Sequence, residues 1–238
     1  GLAYYVAVRS CRTSIYSGRL AWIGLGLFNL AAIAGTIALD LGYNVGDLEY
    51  REWPWQIRLI FLAALVVTAW NLIGTVAQRT MEDIYLSNWY TIGGVLWTCI
   101  IAIVAILPWY QYGLGQVAVS GYYMHNAVGM WFTPLALGIF YYALPKLLSR
   151  PIYSYALGVF AFWTNLVFYP IIGAHHFLFS PLPWWLQTTA IVFSVAMLVP
   201  VLGGSANFLL TMRGRFGDMR HSYPLMFIFI GVVGYLVG

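Results

Sequence analysis

Residues 124–144 read MHNAVGMWFTPLALGIFYYAL: twenty-one positions without a charged side chain and with one histidine near the start. A hydrocarbon layer about 30 Å thick needs ~20 consecutive apolar residues of helix to cross it. This stretch meets that need, and it is not alone. Similar segments run over residues 20–39, 59–76, 92–109, 152–174, 185–212 and 223–238. Of the 238 residues, 62% are hydrophobic, 18% aromatic and 8% charged, whereas soluble domains carry roughly 25% charged residues. The expected fold is therefore all-α: a polytopic transmembrane helix bundle of about seven spans, forming a single domain over 1–238. Pro200 and the Gly203–Gly204 pair predict a kink in the sixth span.

The basic residues orient the bundle. Nine of the eleven Lys and Arg residues (Arg9, Arg12, Arg19, Arg79, Lys146, Arg150, Arg213, Arg215, Arg220) fall on one side of the alternating spans, and only Arg51 and Arg58 on the other. The positive-inside rule makes the richer side cytoplasmic. Trp53, Trp55, Trp89, Tyr90, Trp109, Tyr110, Tyr122, Tyr123, Trp184 and Trp185 gather at segment ends, as interfacial aromatics do. The net charge of +4 reads as loop arginines and not as a nucleic-acid footprint. Cys11 and Cys99 lie in unlike surroundings and predict no disulfide. The chain begins with glycine and shows no short cleavable apolar core, so it is expected to be a piece of a longer protein.

Three of the four histidines lie in apolar sequence. His125 opens the fourth span from the outer side, and His175 and His176 close the fifth. Arg150, in the turn between the two spans, is 25 residues from both His125 and His175, which puts them at equal height on antiparallel helices at ~1.5 Å per residue. Alone, an intramembrane histidine reads as an interhelical hydrogen bond; a pair matched in depth by a third reads as a ligand set in the outer part of the membrane. Neighbouring residues of an α-helix point ~100° apart, so His175 and His176 can share an ion only on an irregular backbone, which Pro170 and Gly173 favour. Three imidazoles with an open position suit copper, zinc or iron. His221 lies in polar sequence and is expected at headgroup level.

Tyr169 stands seven residues before His176, nearly two α-helical turns, and is expected on the same face. All seven carboxylates (Asp40, Asp47, Glu49, Glu52, Glu82, Asp83, Asp218) fall in loops or at span ends. Protons arriving from the cytoplasm would therefore travel over hydroxyls, amides and water, for which Tyr141, Tyr142, Ser154, Thr164, Asn165, Asn207 and Tyr169 are the candidates.

YMHNAVG at 123–129, Pro145–Lys146, RPIYSY at 150–155 and GAHH at 173–176, with IYLSNW at 84–89 and GGSAN at 203–207, resemble the catalytic subunit I of C-family, cbb-type haem–copper cytochrome c oxidases. The match runs without a gap from His125 to Asn207 and is looser over the first two spans. The resemblance implies that His125, His175 and His176 ligate copper. It makes Tyr169 the redox-active tyrosine, joined covalently to a copper ligand, here His125. A proton route then uses Tyr141, Asn207 and Tyr169. Other oxidases of the superfamily carry this tyrosine one turn after the first histidine, where Gly129 stands here. Relatives tend to have serine at Gly158, so a water or another hydroxyl would bridge that stretch.

The family's b-type haems need axial histidines early and late in the chain. There is none before His125 or after His221, so the sequence reads as the middle of a twelve-span subunit. The resemblance further implies reduction of O2 to water with electrons from cytochrome c, coupled to proton translocation. The partners would be membrane-anchored c-type cytochrome subunits and the rest of subunit I. The location would be a bacterial inner membrane, with the metal toward the periplasm. Two alternatives are a nitric oxide reductase of the same superfamily, with iron at the histidines and a glutamate at the position of Gly129, and a non-catalytic membrane protein, either a paralogue or a metal transporter.

Overall fold

The computed structural model describes residues 1–44, 50–107 and 112–238. The expected interfacial Trp109 and Tyr110, and the carboxylates Asp47 and Glu49, lie outside the described residues. The described residues form helices α1 (Leu2–Cys11), α2 (Gly18–Asp40), α3 (Trp55–Ala77), α4 (Leu86–Ile106), α5 (Gly113–Leu148), α6 (Tyr155–Phe177), α7 (Trp184–Met212) and α8 (Tyr223–Val237). From α2 to α7 each helix is long and apolar enough to cross a membrane, and α8 is a shorter apolar helix. The chain is a multi-pass membrane protein.

Several boundaries differ from the expected spans for physical reasons. α5 starts at Gly113 and not Met124, because the Gly-, Gln- and Ser-containing stretch before Met124 is helical without being strongly apolar. α4 starts at Leu86 and not Ile92: Ser87, Asn88 and Thr91 are buried against neighbouring helices. Thr91 Oγ1 donates within the helix to the Ser87 carbonyl at 2.7 Å, and Asn88 Nδ2 donates across to Ser10 Oγ of α1 at 2.9 Å. α1 was not foreseen; it packs on α3, α4 and α5.

Helices adjacent in sequence pack together from α2 to α5, and α6 packs on both α7 and α5. The core between α4, α5, α6, α7 and α8 is apolar and aromatic, with Leu86, Tyr90, Tyr141, Leu144, Phe162, Phe208 and Met212 closely buried. Arg58 Nη1 donates to the Ala105 carbonyl at 2.5 Å, tying α3 to α4. Arg51 Nη2 donates to Ser120 Oγ at 3.1 Å.

Two polar clamps fix helix starts. Ser17 caps α2, its Oγ accepting from Leu20 N at 3.2 Å. Asn71 of α3 brackets it, Oδ1 accepting from Ser17 N at 2.9 Å and Nδ2 donating to the Ser17 carbonyl at 3.0 Å. Ser154 caps α6 in the same way, its Oγ accepting from Leu157 N at 3.1 Å. Asn207 of α7 brackets Ser154 at 3.0 and 2.9 Å.

Candidate metal centre

The two helices that carry the histidines both leave α geometry at the site. α5 passes through a π turn, Ala127–Phe132, just after His125. α6 ends as a nine-residue 3₁₀ segment, Tyr169–Phe177, much longer than the usual three or four residues. Pro170 supplies no N–H to an α-helical ladder. Gly173 lets the segment lie against α5, since a Cβ there would meet Tyr122 Cα at 2.7 Å. The irregular backbone expected at the histidine pair is present.

The sequence places His125 at the start of its span, but it lies twelve residues inside α5, roughly 18 Å from the first residue of that helix at ~1.5 Å per residue. The equal-height expectation holds in the contacts. His175 Nε2 lies 3.1 Å and His176 Nε2 3.2 Å from His125 Nδ1. Ring centroids are 4.7, 5.3 and 4.5 Å apart for the pairs 125–175, 125–176 and 175–176.

The periphery fixes which nitrogens face inward. The Tyr169 carbonyl, 3.1 Å from His125 Nε2, can only accept, so Nε2 carries the proton and Nδ1 the lone pair. On His175, Nδ1 lies 2.9 Å from Ser194 Oγ. Donation from Nδ1–H to that hydroxyl leaves the Nε2 lone pair facing His125. Lone pairs aimed at one point repel unless a cation lies between them. Metal–nitrogen bonds of ~2.0–2.1 Å would set neighbouring nitrogens about 3.3–3.6 Å apart, a few tenths of an ångström beyond the distances here. These three residues are the metal-ligand cluster found among the described residues. The donor set fits a metal ion held by neutral nitrogen.

Tyr169 lies flat on His125, with ring centroids 4.0 Å apart and planes 17° from parallel. Its hydroxyl donates to the His125 carbonyl at 3.3 Å. Gly129 makes room for it: a Cβ at that position would overlap the Tyr169 ring. The face argument from sequence needs correcting. With three residues per turn, Tyr169, Ile172 and His175 stack in register, in place of the seven-residue α-helical match to His176.

The histidines and Tyr169 line a cavity of about 690 Å³, walled also by Met124, Thr133, Asn165, Ile172, Ser194, Met197, Val201 and Tyr235. Cofactor sites commonly span ~300–1,000 Å³. No Asp or Glu lines it among the described residues. Its mostly apolar wall suits a flat macrocycle, but among the described residues it offers no histidine besides the three.

Of the other candidates, Tyr141 and Asn207 meet: Asn207 Nδ2 donates to Tyr141 Oη at 3.3 Å, and both are fully buried. Ser154 joins them through its backbone, and Asn165 lines the cavity. Two expected members lie elsewhere. Tyr142 turns to α1, edge-on to Tyr5 at 6.0 Å. Thr164 donates back to the Phe160 carbonyl at 2.8 Å. His221 is exposed, as expected. At Gly158 the space beside the backbone is filled by Leu86, and the hydroxyl nearby is that of Tyr90, which donates to the Gly158 carbonyl at 3.4 Å. Sequence reasoning missed Ser194 and misplaced Tyr90, expected at the membrane interface but buried in the core between helices. A lone serine within the apolar run Ile191–Val195 was the available signal for the first.

A family model described as cytochrome c and quinol oxidase polypeptide I matches residues 1–238. The chain belongs to this family. Curated relatives include the Cbb3-type cytochrome c oxidase subunit CcoN1 of Stutzerimonas stutzeri, 32% identical over 98% of this chain and 51% of the relative. A cytochrome c oxidase subunit 1 homolog of Agrobacterium tumefaciens is 32% identical over 92% of this chain and 42% of its own length. Cytochrome c oxidase subunit 1 of Rhodobacter capsulatus is 30% identical, over 98% and 46%. The chain thus spans about half the length of the curated relatives it matches. Membership of the haem–copper oxidase subunit I family implies haem and copper as the cofactors.

Proposed function

We propose that this chain is the copper-holding middle of the catalytic subunit of a cbb-type cytochrome c oxidase, one transmembrane domain of a larger twelve-span subunit. The complex would reduce O2 to water with electrons from membrane-anchored c-type cytochromes and couple this to proton translocation across a bacterial inner membrane. The observation that carries the reading is the convergence of His125 Nδ1 with the Nε2 atoms of His175 and His176, with the Tyr169 ring stacked on His125 in the notch left by Gly129.

Copper at the three imidazoles and the iron of a b-type haem in the adjoining cavity would supply the redox chemistry on O2. The chain's own residues prepare that place. The Tyr169 carbonyl and Ser194 Oγ hold two imidazoles in the tautomers that present lone pairs inward, as outer partners of metal-bound histidines do. Tyr169 holds its hydroxyl beside His125, donating to that residue's carbonyl, with its ring stacked on the imidazole. Tyr141, oriented by Asn207, is the buried hydroxyl from which protons move up toward Tyr169, with Tyr90 beside Gly158. A haem seated in this cavity would be walled by Met197, Val201 and Tyr235, with the site toward the periplasm.

The reductase alternative asks for a glutamate one turn after His125. That side chain and the Tyr169 ring would claim the same space, so the stacked tyrosine favours the oxidase reading. The test is metal and haem analysis of the complete complex, wild type and His125→Ala. One copper per complex, lost in the variant while the haems remain, is the expected result. Iron in place of copper would move the assignment to nitric oxide reduction, and no metal dependent on His125 would leave a non-catalytic paralogue.

A further inference from the structure

A second cavity, also about 690 Å³, opens on the arginine-rich side among the inner ends of α1, α5 and α6 and the α3–α4 turn. It shares no lining residue with the metal cavity. Its charges are sorted by element. Arg9 and Arg12 come from the end of α1 and Lys146 from the end of α5, while Glu82 and Asp83 come from the α3–α4 turn. The two sets line one space yet form no ion pair; among the described residues the ion pair found is Arg215–Asp218, elsewhere.

The cations are held on an aromatic wall. Arg9 lies over the Tyr5 ring at 5.7 Å and Lys146 over the Tyr142 ring at 5.0 Å, and the two rings meet edge to face. Leu2, Tyr5 and Arg9 follow one another at helical spacing on one face of α1, with Leu2 52% and Tyr5 51% exposed. That face runs from apolar to basic as it approaches the cavity. It is the profile a phospholipid meets on passing from acyl chain to phosphate.

We infer that this cavity seats the headgroup of a phosphatidylethanolamine of the inner leaflet. Arg9, Arg12 and Lys146 take the phosphate, and Glu82 and Asp83 take the ammonium two methylenes away. Basic pockets between transmembrane helices on this side are known to suit lipid phosphates, and ionised partners strengthen each hydrogen bond. The carboxylates make the choice of lipid. Phosphatidylglycerol would leave them facing uncharged hydroxyls, and the trimethylammonium of phosphatidylcholine has no N–H to donate. The inference rests on the arrangement of charges and not on the oxidase reading.

The experiment uses the complete complex in nanodiscs containing equal phosphatidylethanolamine, phosphatidylglycerol and phosphatidylcholine, and counts lipids retained after detergent stripping by native mass spectrometry. The wild type should keep one phosphatidylethanolamine that both Arg12→Gln/Lys146→Gln and Glu82→Gln/Asp83→Asn lose. Affinity in the variants should fall on the order of tenfold, about 1.4 kcal/mol. Lys146→Arg should retain the lipid, and unchanged thermal unfolding separates lipid loss from misfolding. Retention of phosphatidylglycerol instead, an unaltered count in the carboxylate variant, or displacement of the lipid by inorganic phosphate alone would overturn the proposal.

Discussion

Ser17 and Ser154 start two spans in the same way, and the chain returns to each from the following helix with the same pair of side chains. The caps are nearly superimposable in dihedral terms: φ −149°, ψ 115° at Ser17 and φ −147°, ψ 119° at Ser154. Asn71 and Asn207 bracket the serine backbones, at sequence separations of 54 and 53. One turn further on, Thr75 and Thr211 accept from Tyr16 N at 3.1 Å and Tyr153 N at 2.9 Å, and their hydroxyls donate back to the Asn71 and Asn207 carbonyls. The clamp is a structural device used twice. What differs is one phenol: Asn207 also donates to Tyr141 Oη, and for the Asn71 side chain the hydrogen bonds found are those to Ser17. An amide whose oxygen and both N–H groups are engaged is poorly placed to carry a proton. Asn207 is thus better read as the residue that orients Tyr141 than as a carrier.

The widest gap between the two clamps should appear in Tyr141→Phe. The clamp keeps its four backbone contacts, but one buried Asn207 N–H loses its acceptor, so stability should fall by about 1–3 kcal/mol. Turnover of the assembled complex should fall on the order of 100-fold, the low end of what a positioned proton-transfer group contributes. Full turnover in this variant would make the second clamp as purely structural as the first. Asn71→Ala and Asn207→Ala form the next pair. Each strands a serine N–H and a carbonyl, at about 1–3 kcal/mol per buried unsatisfied group, so thermal unfolding of both complexes should shift down by similar amounts. Oxygen consumption should drop only for Asn207→Ala.

Much of this was legible beforehand, and the limits have physical causes. Apolar length alone marks α2, α3 and α7, and equal spacing from Arg150 brings His125 level with His175. Helix start points were misplaced where polar residues are helical but buried, as at Asn88, because its partner comes from distant sequence: Asn88 Nδ2 donates to Ser10 Oγ at 2.9 Å. The 3₁₀ run through His176 was legible only as an irregularity near Pro170 and Gly173, and the π turn after His125 was not foreseen. Which periodicity the backbone adopts is set by packing of one helix on the other, as with the Tyr169 ring against Gly129. Ser194 could not be singled out, since one serine among many gains meaning only from the imidazole 2.9 Å away.

Gly158 sharpens the comparison at a smaller scale. It sits one turn after Ser154, where the first clamp has Ala21 one turn after Ser17. A Cβ at Gly158 would lie 2.5 Å from Leu86 Cδ1 and 3.2 Å from Asn207 Nδ2. Gly158→Ser should therefore destabilise the complex by about 1–3 kcal/mol, as overpacking does, and Leu86→Ala in the same chain should relieve it. A fully stable single variant would mean that Leu86 yields freely and that the site tolerates a hydroxyl.

The smallest effect is the most discriminating about the shared part of the device. Ser17→Ala and Ser154→Ala each remove one cap acceptor, from Leu20 N and Leu157 N respectively, and leave the Asn brackets in place because those engage only the serine backbone. Loss of such a cap costs ~1 kcal/mol, and with near-identical dihedrals the two costs should agree within a few tenths in chemical unfolding of the complex. Turnover should be untouched in both, since Ser154 Oγ is committed to its own helix. A selective loss of turnover in Ser154→Ala would place that hydroxyl in the proton route after all, and the second clamp would then differ from the first by two groups and not one.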